Sequence, residues 1–176
     1  MGLMKKIMVL VIVVLVAYFF VQEFGAGFFG SGIERMKTID SKYGVSSEVI
    51  VPGDPAELEA YERELRGLHG GLTAQEKKIV ELKIALVEMQ KSMLTFSEAG
   101  LLTDYSNPDC SINGTINTAK KRGQSVVEAA AKVLSIRESA QSIQGFEYIK
   151  EQEFELLIKA VNDSVQANIN GMNLLC

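Results

Sequence analysis

The 176-residue chain has no tryptophan, three prolines, two cysteines and one histidine. Each scarcity removes a class of function. His69, two distant cysteines and no clustered acidic ligands cannot make a zinc site of the ordinary kind. Nor does His69 have a serine or cysteine placed around it for a nucleophilic triad. Its position next to Gly70 is explained by the attraction of a cation to a helix C-terminus. No phosphate-cradling loop is present: residues 25–32 are glycine-rich but follow an apolar run and lack a Lys-Ser/Thr ending. Basic blocks and basic–aromatic interleaving are missing too, which argues against nucleic acid as a partner. Glutamates are plentiful, but Glu59, Glu62, Glu81, Glu88, Glu151 and Glu155 fall on the expected outer faces of helices. Solvation rather than two-carboxylate catalysis is their expected role. Neither catalytic activity nor a cofactor is expected.

What is present begins with residues 7–21, IMVLVIVVLVAYFFV, an unbroken apolar run behind Lys5 and Lys6. As a helix it spans about 22 Å, short of the roughly 30 Å hydrocarbon core. That length fits the apolar part of a cleaved signal peptide as well as a short membrane span. Phe24, Ala26, Phe28 and Phe29 continue the apolar character, so a tilted helix over residues 7–29 could contact lipid and use these aromatics as interfacial anchors. The cleavage alternative has only weak small-residue pairs, Gly25 with Gly27 and Gly30 with Gly32, and no cysteine is placed for lipid attachment. An uncleaved signal-anchor is the preferred reading, with secretion after cleavage as its alternative. Lys5 and Lys6 precede the run and Glu23 follows it, which keeps the N-terminus cytoplasmic and sends the rest across.

The chain carries 18 basic and 22 acidic residues. With Lys5, Lys6 and Glu23 set aside, 16 and 21 remain, a formal charge of −5 beyond the run. Some 140 residues are enough for one domain with a single core. Scarce proline and recurrent Ala, Leu, Glu and Lys indicate helix. The expected fold is all-α: an N-terminal transmembrane helix followed by an antiparallel bundle of about four helices. The expected divisions are residues 1–32 (anchor or signal), 33–53 (short helix and linker) and 54–176 (bundle).

In residues 33–43, Ile33, Met36, Ile39 and Tyr43 share a helical face that could lie on the membrane or continue the span, with Gly44 as the stop. Residues 45–53 have no second strand to pair with and read as a linker. Asp54-Pro55-Ala56-Glu57 starts a helix by cap, first-turn proline and dipole, and Leu58, Tyr61, Leu65 and Leu68 line it. Gly70-Gly71 ends it, and a capping box, Thr73 with Glu76, opens the next. That helix, expected to reach residue 97, carries Ile79, Leu82, Leu86, Met89, Met93 and Phe96 in a bundle seam. Val80, Ile84, Val87 and Leu94 form a second stripe, either buried because this is the central helix or open to a protein partner or to self-association. After a turn-rich loop over residues 100–115, a helix over residues 116–143 has a small inner face: Ala119, Gly123, Val126, Ala130, Val133 and Ala140. Gly145 breaks the pattern. The last helix, from residue 146, puts Phe154, Leu157, Ile158, Val161, Val165, Ile169, Met172 and Cys176 on one arc.

In an up-down bundle the last helix returns to where the third begins, so Cys110 and Cys176 meet at one end. In an oxidising compartment they are expected to form a disulfide. Closing a loop of about 65 residues is worth roughly 4 kcal/mol by chain entropy. Asn113-Gly114-Thr115 and Asn162-Asp163-Ser164 match the N-glycosylation pattern. Asn113, on a turn, is the better candidate, whereas Asn162 flanks the apolar arc.

The expected function is binding or scaffolding by a membrane-anchored, extracytoplasmic bundle. One alternative is a subunit of a surface filament or membrane oligomer packing through its apolar helix. An apolar N-terminal helix with a soluble head resembles the plan of type IV pilin-like subunits, though no small residue directly precedes the run as a processing site. Another is a sensor ectodomain working with a separate membrane partner.

Overall fold

The computed structural model describes residues 32–45, 52–68, 70, 72–140 and 151–176. The apolar run, the aromatics at residues 24–29, most of the 45–53 linker, His69, Gly71, Gly145 and the start expected for the last helix lie outside the described residues. The described residues form five α-helices and no strand. They are α1 (Gly32–Lys42), α2 (Pro55–Gly67), α3 (Ala74–Leu101), α4 (Thr115–Ala140) and α5 (Glu151–Leu175). Among them no helix is long and apolar enough to cross a membrane.

The helix boundaries follow local chemistry. Gly44 adopts a left-handed φ of 64°, and the Val45 amide turns back to the Asp40 carbonyl at 2.8 Å, closing α1 as a glycine C-cap does. Asp54 accepts from the Ala56 and Glu57 amides at 2.9 and 3.0 Å, with Pro55 in the first turn of α2. Thr73 and Glu76 make the reciprocal capping box that opens α3. That helix runs to Leu101, four residues beyond the end expected from sequence. Ala99 packs with Ile116, Ala119 and Met172, and this contact holds the last turn helical.

Cross-helix contacts set the directions. Lys78 reaches the Ser139 carbonyl, Lys132 reaches Glu88, and Arg122 reaches the Thr95 carbonyl, so α4 runs antiparallel to α3. Glu62 meets Lys91 and Arg66 meets Glu88, which makes α2 antiparallel to α3 as well. α5 is antiparallel to α4: its Phe154 ring lies against Arg137, and its Ile169 against Gly123. α1 runs with α3, since Gly32 sits at Glu76 and Asp40 at Lys83. One end of the bundle therefore holds Gly32 and the start of α3. The other holds the 102–114 loop and the end of α5.

Three differences from the sequence expectation have physical causes. α1 packs into the bundle: Met36 and Val45 are buried in one core cluster with Leu58, Leu65, Leu82 and Leu86. Among the described residues the bundle thus has five helices rather than four. Second, Val80, Ile84 and Val87 are 1%, 5% and 0% exposed, and the half-buried Leu94 packs on the same core. This stripe is not a partner-facing surface, because α3 is wrapped by α1 and α2 on one side and α4 on the other. Each such side chain contributes about 1.5–3 kcal/mol by leaving water. Third, Leu157 is 43% exposed although its neighbours Phe154 and Ile158 are buried. The packing of α5 falls chiefly on α4, which covers a narrower strip than the sequence arc. The small face of α4 behaves as its residues imply: a Cβ at Gly123 would stand 3.0 Å from Ile169 and 3.1 Å from Phe96. Glycine there lets three helices converge.

Candidate functional site

Two places concentrate polar chemistry or exposed apolar surface. The first is buried where α1, α2 and α3 meet. Asp40, Lys83 and Tyr61 are 1%, 1% and 0% exposed. The Lys83 ammonium lies 3.5 Å from one Asp40 oxygen, and the Tyr61 hydroxyl donates to the other. Burial pushes the Lys83 amine down from its ordinary value, and the Asp40 charge opposes that shift. The Tyr43 ring meets the Tyr61 ring edge-on at 5.4 Å, and its hydroxyl donates to Glu64 at 2.7 Å. Such a site fastens α1 to the bundle. It has no opening for a substrate, since all three of its polar groups are out of water.

Sequence reasoning missed this pair, although a signal was present. Lys83 lies three or four residues from Ile79, Val80, Leu86 and Val87, in the middle of an apolar face. Asp40 stands likewise between Met36 and Tyr43. A lone charge centred on an apolar helical stripe demands an opposite charge on a facing helix.

Nearer the surface, Glu62 accepts from Lys91 at 2.6 Å and from Arg66, and Arg66 reaches Glu88, which takes Lys132. Burial pushes the Glu62 carboxyl up, but the hydrogen bonds from Lys91 and Arg66 outweigh it and hold the group below its usual range. These carboxylates are occupied in tying α2, α3 and α4 together. Among the described residues no group of His, Cys, Asp and Glu could hold a metal ion.

The second place is the far end of the bundle. Cys110 and Cys176 are joined in a disulfide with Cα atoms 5.6 Å apart, bridging 66 residues of sequence. The antiparallel return of α5 along α4 brings them together, as their placement in the sequence predicts. The loop they hold is itself ordered by short-range bonds. Asn117 donates to the Cys110 and Ser111 carbonyls at 3.1 and 2.7 Å, and Asp109 accepts from the Ser111 amide at 3.0 Å. That amide bond holds the Asp109 carboxyl below its usual range. Gly114 is required by space: a Cβ there would stand 2.2 Å from the Asp109 carbonyl oxygen. Asp104 accepts from the Ser106 amide at 2.9 Å and closes another turn. Asn113 is exposed on this loop, as a glycosylation acceptor must be, while Asn162 is half-buried on α5.

Apolar side chains on this tied tip face water. Leu101, Leu102, Ile112 and Leu174 are 84%, 76%, 82% and 90% exposed. At the same end, Tyr105 and Leu175 line a shallow groove of about 400 Å³ with Ala167, Asn168, Gly171 and Met172. Scattered exposed leucines are ordinary; here several gather at one end of the bundle. The sequence points to the loop but not to its apolar side chains, because Leu101 and Leu102 continue a helical pattern that elsewhere turns inward. No family model, no curated protein and no solved structure matches the chain, so the reading of its role rests on this geometry.

Proposed function

We propose that the chain is a non-catalytic, single-pass membrane protein whose helical bundle lies outside the cytoplasm and binds or scaffolds through its disulfide-tied tip. One observation carries the reading. An end of the bundle fixed by a disulfide and by side-chain-to-backbone bonds exposes Leu102 and Ile112 on the loop, Leu101 at the end of α3 and Leu174 near the end of α5. A disulfide of this kind persists in oxidising compartments, which supports an extracytoplasmic address. The apolar run at residues 7–21, with Lys5 and Lys6 before it, supports an uncleaved anchor in contact with lipid and an N-terminus left in the cytoplasm. It joins the bundle through Gly32, at the end away from the tip. With α3 28 residues long, an anchored bundle carries its tip about 40 Å from the point of entry. A rigid loop loses little freedom on binding, so its apolar surface is available at low entropic cost.

The anchor is tested on the full chain in its own membranes. The 19.3 kDa polypeptide should resist alkaline extraction, keep its N-terminal residues on sequencing, and be digested by protease added from outside. Release into the soluble fraction, or a mature N-terminus beyond residue 21, would replace the anchor by a cleaved signal.

A further inference from the structure

We infer that Asn113 is an N-glycosylation site, taking its glycan from a polyprenyl-phosphate-linked donor on the outer side of the membrane. The inference rests on the extracytoplasmic address of the bundle, where a chain crossing the membrane meets such a donor. Asn113-Gly114-Thr115 supplies the acceptor amide, a middle residue other than proline, and a hydroxyl two positions on. Asn113 is exposed on a turn closed by the Gly114 amide, which donates to the Ser111 carbonyl at 2.9 Å, and the exposed Thr115 opens α4. Among the described residues neither the Asn113 amide nor the Thr115 hydroxyl is engaged in a hydrogen bond. Nearby Asn117, by contrast, is engaged twice, with the Cys110 and Ser111 carbonyls.

The second matching tripeptide serves as a contrast within the same chain. Asn162-Asp163-Ser164 lies inside α5, where Asn162 is half-buried between Val161 and Val165. Both valines pack on the cluster around Val126 of α4, and the Ser164 carbonyl accepts from Asn168 at 2.8 Å. A glycan is bulky and hydrated, so at Asn162 it would part α5 from α4. At Asn113 it stands in water and displaces nothing.

Access before folding and room after it agree. Cys176 follows Cys110 by 66 residues, so the disulfide stays open and the turn untied while that length of chain is still crossing. In that interval the segment is free to bend into a transferase. Once the bundle has folded, Asn113 lines a small surface cleft of about 100 Å³ with Leu102, Thr115 and Arg122. The step is a displacement. Asn113 Nδ2 bonds to the anomeric carbon of the donor as the bond from that carbon to the phosphate oxygen breaks. Nδ2 gives up a proton, and the lipid phosphate leaves with the electron pair. The glycan then stands beside Leu102 and gives that side of the tip a hydrated cover, while the groove at Tyr105 and Leu175 stays open.

The test is mass mapping of the full chain isolated from the membranes of its own cell. After reduction and cleavage at lysine and arginine, Asn113 falls on residues 92–120 and Asn162 on residues 160–176, so the two tripeptides are weighed apart. Expected is an added mass on residues 92–120 that releases sugar fragments, with none on residues 160–176. Asn113→Gln and Thr115→Ala should each abolish it, whereas Thr115→Ser, which restores the hydroxyl, should keep it. Both positions are exposed, so these changes leave the core intact. An unmodified 92–120 peptide overturns the inference. If protease added from outside still digests that unmodified chain, the extracytoplasmic address stands without the glycan; if the chain is protected, both fall. A mass that survives Asn113→Gln or Thr115→Ala is attached elsewhere and overturns the assignment, as does a glycan on residues 160–176 instead.

Discussion

Lys83 and Asp40 are each 1% exposed and meet at 3.5 Å, with the Tyr61 hydroxyl donating to Asp40. Taking two charges out of water costs several kcal/mol per ion, and only their mutual attraction and hydrogen bonds offset it. Removing one partner is therefore worse than removing both. Lys83→Met is expected to cost about 3–5 kcal/mol by removing the buried cation that balances the Asp40 charge. Asp40→Asn added to Lys83→Met should recover most of that loss, because an amide oxygen still accepts from Tyr61. Chemical denaturation of the single and double variants measures the difference; equal stability of the two would mean that the charges do not act on each other. The pair does not add stability over a well-packed apolar alternative. What it supplies is position: only one register of α1 brings an acid opposite Lys83, while Met36, Ile39 and Tyr43 alone could slide.

At the scale of elements, the features legible in the sequence are those decided within a few residues. Asp54-Pro55 and the Thr73–Glu76 box announce their helices because caps act across three positions. Thr73→Ala is expected to cost about 1 kcal/mol in a thermal melt. Glu76→Ala should cost more than Thr73→Ala, since Glu76 also accepts from the Gly32 amide at 2.6 Å and so begins α1 as well. The small face of α4 and the meeting of Cys110 with Cys176 were legible too, the first from residue size and the second from antiparallel topology. The docking of α1 was not. Its apolar stripe suits a membrane surface as well as a core, and only the partner charge on α3 distinguishes them. The end of α3 was also hidden, because it depends on Ile116, Ala119 and Met172, which are distant in sequence. Cys110→Ser with Cys176→Ser should lower stability by about 4 kcal/mol and let protease reach the end of α5 first. Mass mapping of early digestion products checks this.

For the whole molecule, the acid limb of stability follows from the surface network. Glu62 and Glu64 are held below the ordinary carboxylate value of 4.5, for Glu64 by its hydrogen bonds from Lys42 and Tyr43. The unfolded chain takes up protons at 4.5 while the folded one still excludes them, so stability falls as pH falls. Their contribution is full above pH 4.5 and is lost as pH drops through the depressed folded values. Thermal melts between neutral and acid pH should show this decline, and Glu62→Gln should flatten it. Because α1, α3 and α5 point one way, the described chain enters at one end of the bundle and finishes at the other. That arrangement has a mechanical consequence. A pull between Gly32 and the tip acts along the helix axes, so neighbouring helices must shear past each other together instead of peeling away in turn. The disulfide joins the loop before α4 directly to Cys176, so a pull on the chain runs through α1, α2 and α3 and bypasses α4 and α5, which lie within the covalent loop. Under load the bundle behaves as a strut, and it yields first at its base, where α1 is held by Glu76 and Lys83.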